Sequence, residues 1–151
     1  MVAIEKTLKE GDSFLYTYLE TKRNYGFVLI NSIPNRGRHP RFYQFALINL
    51  PSKDNVSLDD FKNGGFLYSK MIPNGRTRKE NLGIYTWDFS KEYFYFLHKF
   101  NFIGTLEMDR SKFMIGSGGN PPPEVFLHHI FNNMDVLMTP YDKTPLSTIL
   151  S

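Results

Sequence analysis

The pattern of apolar and polar positions is most regular between Glu10 and Ile33. In Phe14-Leu15-Tyr16-Thr17-Tyr18-Leu19 the aromatic residues fall on alternate positions, so a strand here carries Phe14, Tyr16 and Tyr18 on one face. The polar segment Glu20–Asn24 turns the chain, and Tyr25-Gly26-Phe27-Val28-Leu29-Ile30 returns as an almost uniformly apolar strand suited to burial on both faces. The stretch therefore predicts a β-hairpin. Gly11 suits a turn before the first strand, and Gly26 marks a bulge, a bend or a close backbone approach within the second.

Further along, Ser32–Pro40 reads as a loop, with two prolines, Asn, Gly and clustered cations. Arg41–Leu50 reads as a third strand stopped by Pro51, which lacks the N–H a ladder needs. In Ser57-Leu58-Asp59-Asp60-Phe61, a Ser N-cap with acids in the first turn predicts a short helix ended by Gly64-Gly65. Phe66–Ile72 and Gly83–Trp87 are expected strands, separated by the Pro73-Asn74-Gly75 turn. Phe89, Tyr93, Phe96 and Phe100 have helical spacing, but the aromatic density and Asn101 favour a strand over Tyr93–Leu97. Asn101–Met108 reads as another strand broken by Gly104, and Gly116-Ser117-Gly118-Gly119-Asn120 as a mobile loop. The prolines before Glu124–Asn133 introduce the clearest helix, with Val125, Phe126, His129 and Ile130 expected on its packed face. Residues 135–151, with Pro140 and Pro145, read as a loosely packed tail.

Together these elements predict a single domain over residues 1–151, of mainly β or α+β class. A strongly twisted antiparallel sheet, closing part-way towards a barrel, is covered by one C-terminal helix. Fourteen Phe and nine Tyr suit pleated surfaces, and the lack of cysteine excludes disulfides and thiolate chemistry. The first ten residues lack a signal-peptide core, and no run approaches the ~18 apolar residues of a membrane helix. A cytoplasmic protein without membrane contact is expected. The net charge of +3 divides unevenly: Thr21–Lys79 carries +8 and the remainder −5. If those segments form separate faces, the field would steer charged partners.

Catalytic patterns are absent from the sequence. Gly116–Asn120 lacks the Gly-Lys-Ser/Thr close of a P-loop and the spacing of a dinucleotide fingerprint. His128 and His129 are adjacent, so on a helix they point about 100° apart rather than forming an i, i+4 metal pair. No Gly-x-Ser-x-Gly elbow occurs, and Asp59-Asp60 and Glu107/Asp109 read as helix-start and strand-face charges. No catalytic residue, metal ligand or cofactor is assigned. The candidate partner-binding residues are Arg36, Arg38, Arg41 and Tyr43, with Arg76, Arg78 and Lys79. These cations and neighbouring aromatics would also serve a nucleic-acid-binding module, which is the alternative reading.

Lys9-Glu10-Gly11-Asp12-Ser13-Phe14 followed by Tyr25-Gly26-Phe27-Val28-Leu29 resembles the immunity protein 26-like family of bacterial polymorphic-toxin (contact-dependent inhibition) systems. Phe102-Ile103-Gly104-Thr105-Leu106 is similar to a later glycine-centred segment of that family. The resemblance implies a non-catalytic immunity protein that binds a cognate toxin domain and covers its active site or another functional surface. It fixes no toxin-binding residue by position.

Overall fold

The apolar run Tyr25–Ile30 becomes the middle of the molecule. The computed structural model describes residues 8–18, 22–33, 42–51, 53–67, 82–90, 99–119, 122–132 and 144–151. Its elements are β1 (Asp12–Tyr18), β2 (Arg23–Ile33), β3 (Phe42–Asn49), α1 (Leu58–Asn63), β4 (Gly65–Phe66), β5 (Leu82–Ser90), β6 (Asn101–Thr105), β7 (Phe113–Gly119), α2 (Pro123–Asn132) and β8 (Thr144–Pro145). The class is mainly β in an α+β arrangement. Among the described residues the strands form one sheet in the order β6-β1-β2-β3-β4-β8, and β5 and β7 branch from β3. The branch arises because β3 divides its second edge: Phe42–Ala46 pair with β5, and Ile48–Asn49 with β4.

Both faces of β2 and β3 are buried, as the uniform apolar run requires. Tyr25, Phe27 and Leu29 with Tyr43, Phe45 and Leu47 enter one core, while Val28, Ile30, Ala46 and Ile48 enter a second on the other side. Helix α2 covers the first core through Phe126 and Leu127. Phe126 lies flat on Trp87, with ring centroids 4.6 Å apart. Helix α1 covers the second core through the buried Phe61. A Cβ at position 26 would lie 2.7 Å from Phe61 Cε2, so Gly26 permits the close approach of this helix to β2.

The sheet is mixed rather than wholly antiparallel, and it does not close into a barrel. Its parallel pair is β5 with β7, where Tyr85, Thr86 and Trp87 stand opposite Ser117, Gly118 and Gly119. The glycine-rich run expected as a mobile loop is thus a strand over Phe113–Gly119. Main-chain pairing with β5 holds it, and such pairing needs no side chains. The strand expected over Phe66–Ile72 contributes Gly65–Phe66 to the ladder, and residues 68–72 lie outside the described residues. Tyr93–Leu97 and the 34–40 loop also lie outside them. On α2 the packed face keeps the expected Phe126 but loses two of its expected neighbours. Phe126 and Leu127 are buried, whereas Val125 is 59% exposed and His129 is exposed. The Trp87 plane selects Phe126 and turns Val125 outward.

Residues 144–151 belong to the stretch read as a loose tail, yet Leu146 and Ile149 are fully buried in the second core. Leu150 makes an isolated bridge to Met108, the Asp109 N–H donates to Ile149 O (2.8 Å), and the Ser151 N–H donates to Glu107 O (2.9 Å). These bonds tie the segment after β8 to the segment after β6.

Two exposed turns carry the acid-sensitive carboxylates. The Ser57 N–H donates to Asp60 at 2.9 Å and Lys53 Nζ lies 3.0 Å away, which holds the Asp60 carboxyl below its ordinary value of 3.8. The Ser111 hydroxyl (2.6 Å) and N–H (3.1 Å) do the same for Asp109, helped by the Lys112 charge. On acidification the unfolded carboxyls protonate first. Stability from these two groups is therefore complete above the ordinary value and is lost as pH falls through the lower folded values. Urea midpoints measured from about pH 6 to about pH 2 should decline less steeply in an Asp60→Asn/Asp109→Asn variant than in the parent. Equal slopes would remove this assignment.

Candidate binding surface

The aromatic alternation in β1 places Phe14, Tyr16 and Tyr18 along the first core. Phe14 is buried, and Tyr16 and Tyr18 are half-buried where the core meets solvent. Strand β6 pairs with β1 and sets Phe102 beside this row, its ring 5.5 Å from Phe14. Phe102 is 56% exposed, although it stands next to a buried ring. Phe100 packs under Tyr16 at 5.1 Å, and burial raises the Tyr16 phenol above its ordinary value, so it remains a neutral hydroxyl. Arg23 pairs across from Tyr18 and lies 5.7 Å over the Tyr25 ring. Phe102, Tyr16 and Tyr18 thus form an aromatic rim along the β1–β6 edge, with Phe102 opposite Phe14 at one end and Arg23, on β2 across from Tyr18, at the other.

The rim rests on a rigid corner. Gly11 has φ +96°, its N–H donates to Leu29 O (2.7 Å), and its carbonyl accepts from the Leu106 N–H (2.9 Å). The neighbouring Asp12 carboxylate is buried and accepts from the Lys9 N–H and the Thr105 hydroxyl, both at 2.8 Å. Thr105 lies 93 positions away in sequence. The Gly11-Asp12 and Gly104-Thr105-Leu106 segments are therefore one structural unit. Behind the rim, on the other face, a groove of ≈ 520 Å³ is lined by Leu15, Thr17, Lys22, Asn24, Lys53 and Asn101 among others. Its polar wall is fixed, because Thr17 donates to Asn24 Oδ1 (2.8 Å) and Asn24 Nδ2 donates to Lys53 O (2.7 Å).

A second polar constellation crosses the middle of the sheet. The register shift between Leu29 and Asn31 sets Asn31 opposite Gln44, and Gln44 stands opposite Asp88. Asn31 Nδ2 donates to Gln44 Oε1 (2.8 Å), Gln44 Nε2 to Asp88 Oδ1 (3.2 Å), and Thr86 Oγ1 to the same Asp88 oxygen (2.7 Å).

Of the residues predicted from sequence to meet a partner, Arg36, Arg38, Arg41, Arg76, Arg78 and Lys79 lie outside the described residues. Tyr43 is 6% exposed and packs in the first core. His128 and His129 are exposed on α2, where Asn132 Nδ2 donates to the His128 carbonyl (2.8 Å). Among the described residues no group of three His, Cys, Asp or Glu side chains is arranged to hold a metal ion. No described helix is long and apolar enough to cross a membrane. The rim at Tyr16, Tyr18 and Phe102 was not among the sequence-predicted contacts. The alternation in β1 gave half of the signal, and the β1–β6 pairing supplies the rest. Comparison with protein-family models, curated proteins and solved structures yields no match.

Proposed function

We propose that this chain is a non-catalytic immunity protein that binds a bacterial toxin domain through the β1–β6 edge and neutralises it by covering a functional surface. The observation that carries the reading is the aromatic rim, with the exposed Phe102 opposite Phe14 at one end of the β1 row, Tyr16 and Tyr18 along it, and Arg23 across from Tyr18 at the other end. Tyr and Arg are enriched among residues that dominate binding energy, and a large exposed ring on a fixed strand is a preorganised anchor. The sequence resemblance adds support. Its two separate segments meet at the Gly11–Leu106 corner, so the residues that carry the resemblance form one structural unit. In this reading the glycines and Asp12 build the corner, and the rim makes the contact.

The test is co-expression with candidate toxin domains from neighbouring reading frames, each chosen because it arrests growth when expressed alone. Rescued growth and co-purification of the pair, stable to moderate salt, are expected. Unrescued growth together with retention of RNA or DNA that falls steeply with salt would sink the proposal and assign the chain to nucleic-acid binding through released counterions.

A further inference from the structure

The groove on the face opposite the rim has one wall that is fixed before any ligand arrives. Thr17 and Asn24 pair across β1 and β2, and the Thr17 hydroxyl donates to Asn24 Oδ1 (2.8 Å). One Asn24 Nδ2–H donates to Lys53 O (2.7 Å). Asn24 is only 7% exposed, so its amide is locked in place and its second N–H is left for an acceptor in the groove. Lys22, two positions earlier, also lines the groove. Among the described residues it is the one residue other than glycine with a positive φ (56°). A glycine would take this conformation without strain, yet a lysine stands there.

The charges at the groove are unevenly matched. Lys53 Nζ is met by Asp60 at 3.0 Å. The Lys22 ammonium and the Asp54 carboxylate line the same groove, and neither forms an ion pair with the other or with any further described residue. The half-buried Leu15 adds an apolar wall. We propose that the groove binds a free α-amino acid with an apolar side chain, its carboxylate at Lys22 and the Asn24 N–H, its ammonium at Asp54 and its side chain on Leu15. The two unmatched charges select this ligand. An anion alone would satisfy Lys22 and be repelled by Asp54, and a cation alone would meet the reverse. A zwitterion satisfies both, and the fixed Asn24 N–H orients its carboxylate end. Because Lys22 and Asp54 are exposed, the dissociation constant is on the order of 1 mM.

The test is titration of isotope-labelled protein with leucine, N-acetylleucine and leucinamide at about pH 6.5, where the amines of leucine and leucinamide are charged. The signals followed are the side-chain amides of Asn24 and of Asn101, which lines the same groove. Leucine should shift them saturably. N-acetylleucine lacks the ammonium and leucinamide lacks the carboxylate, so each should bind about five-fold more weakly, the scale of one exposed ion pair. Lys22→Gly should weaken leucine by about the same five-fold factor and leave leucinamide unchanged. It should not lower the urea midpoint, because glycine relieves the positive φ. Asp54→Asn should weaken leucine about five-fold and leave N-acetylleucine unchanged. The absence of a saturable leucine shift, an analogue that binds as tightly as leucine, or variants that bind leucine like the parent would overturn the proposal.

Discussion

Gly11→Ala is expected to destabilise the protein by more than about 3 kcal/mol, the range reached when backbone strain and a steric clash combine. The Gly11 φ of +96° lies where L residues are strained, and a Cβ there would run into the Leu106 carbonyl oxygen. Relief by movement is blocked on both sides. The Gly11 N–H is bonded to Leu29 O, and its carbonyl to the Leu106 N–H. Any shift that frees the Cβ therefore breaks the joint between the first hairpin and β6, and disturbs the Asp12–Thr105 bond beside it. Urea unfolding measures the loss directly, and a decrease below about 1 kcal/mol would show that the corner is pliable.

Trp87→Ala should cost about 3–5 kcal/mol, the usual range for removing a large buried aromatic. Trp87 is 1% exposed. It stacks on Phe126, meets Phe89 edge-on at 4.8 Å and Phe27 edge-on at 5.7 Å. These contacts join β2, β5 and α2, so the cavity would open where three elements meet and cannot all collapse together. Because Phe126 anchors α2, hydrogen exchange in Pro123–Asn132 should accelerate more than in β2. Val125→Ala, on the exposed side of the same helix, should change stability by less than about 0.5 kcal/mol. Similar losses for the two variants would contradict the assignment of the packed face.

Local chemistry made part of this structure legible. The alternation in Phe14–Tyr18 and the continuous apolar run Tyr25–Ile30 anticipate the hairpin and its double-sided burial. Ser57 with Asp60 anticipates α1, and the prolines before Glu124 anticipate α2, because these signals act within one helical turn. The remaining features depend on partners distant in sequence. Gly116–Gly119 has no β propensity of its own and becomes a strand because β5 offers it an edge. The exposed face of α2 follows from Trp87, which lies on another element. Neither the rim at Phe102 nor the Asn31–Gln44–Asp88 row can be read along the chain, since each is assembled from strands that meet only in the folded sheet. The backbone shift at Leu29–Asn31, which sets Asn31 opposite Gln44, leaves no mark in the residue pattern.

The proposed immunity function turns on Phe102 as the anchor of the β1–β6 edge. The direct measurement is titration calorimetry of a candidate toxin domain, taken from a neighbouring reading frame and toxic when expressed alone, against the parent protein, Phe102→Ala and Val125→Ala. Both substituted side chains are more than half exposed, so both variants should fold like the parent. The account predicts that Phe102→Ala weakens binding by at least about 2 kcal/mol, roughly thirty-fold, while Val125→Ala leaves it unchanged. Undiminished binding by Phe102→Ala, or a loss confined to Val125→Ala, would move the interface away from the β1–β6 edge and contradict the account.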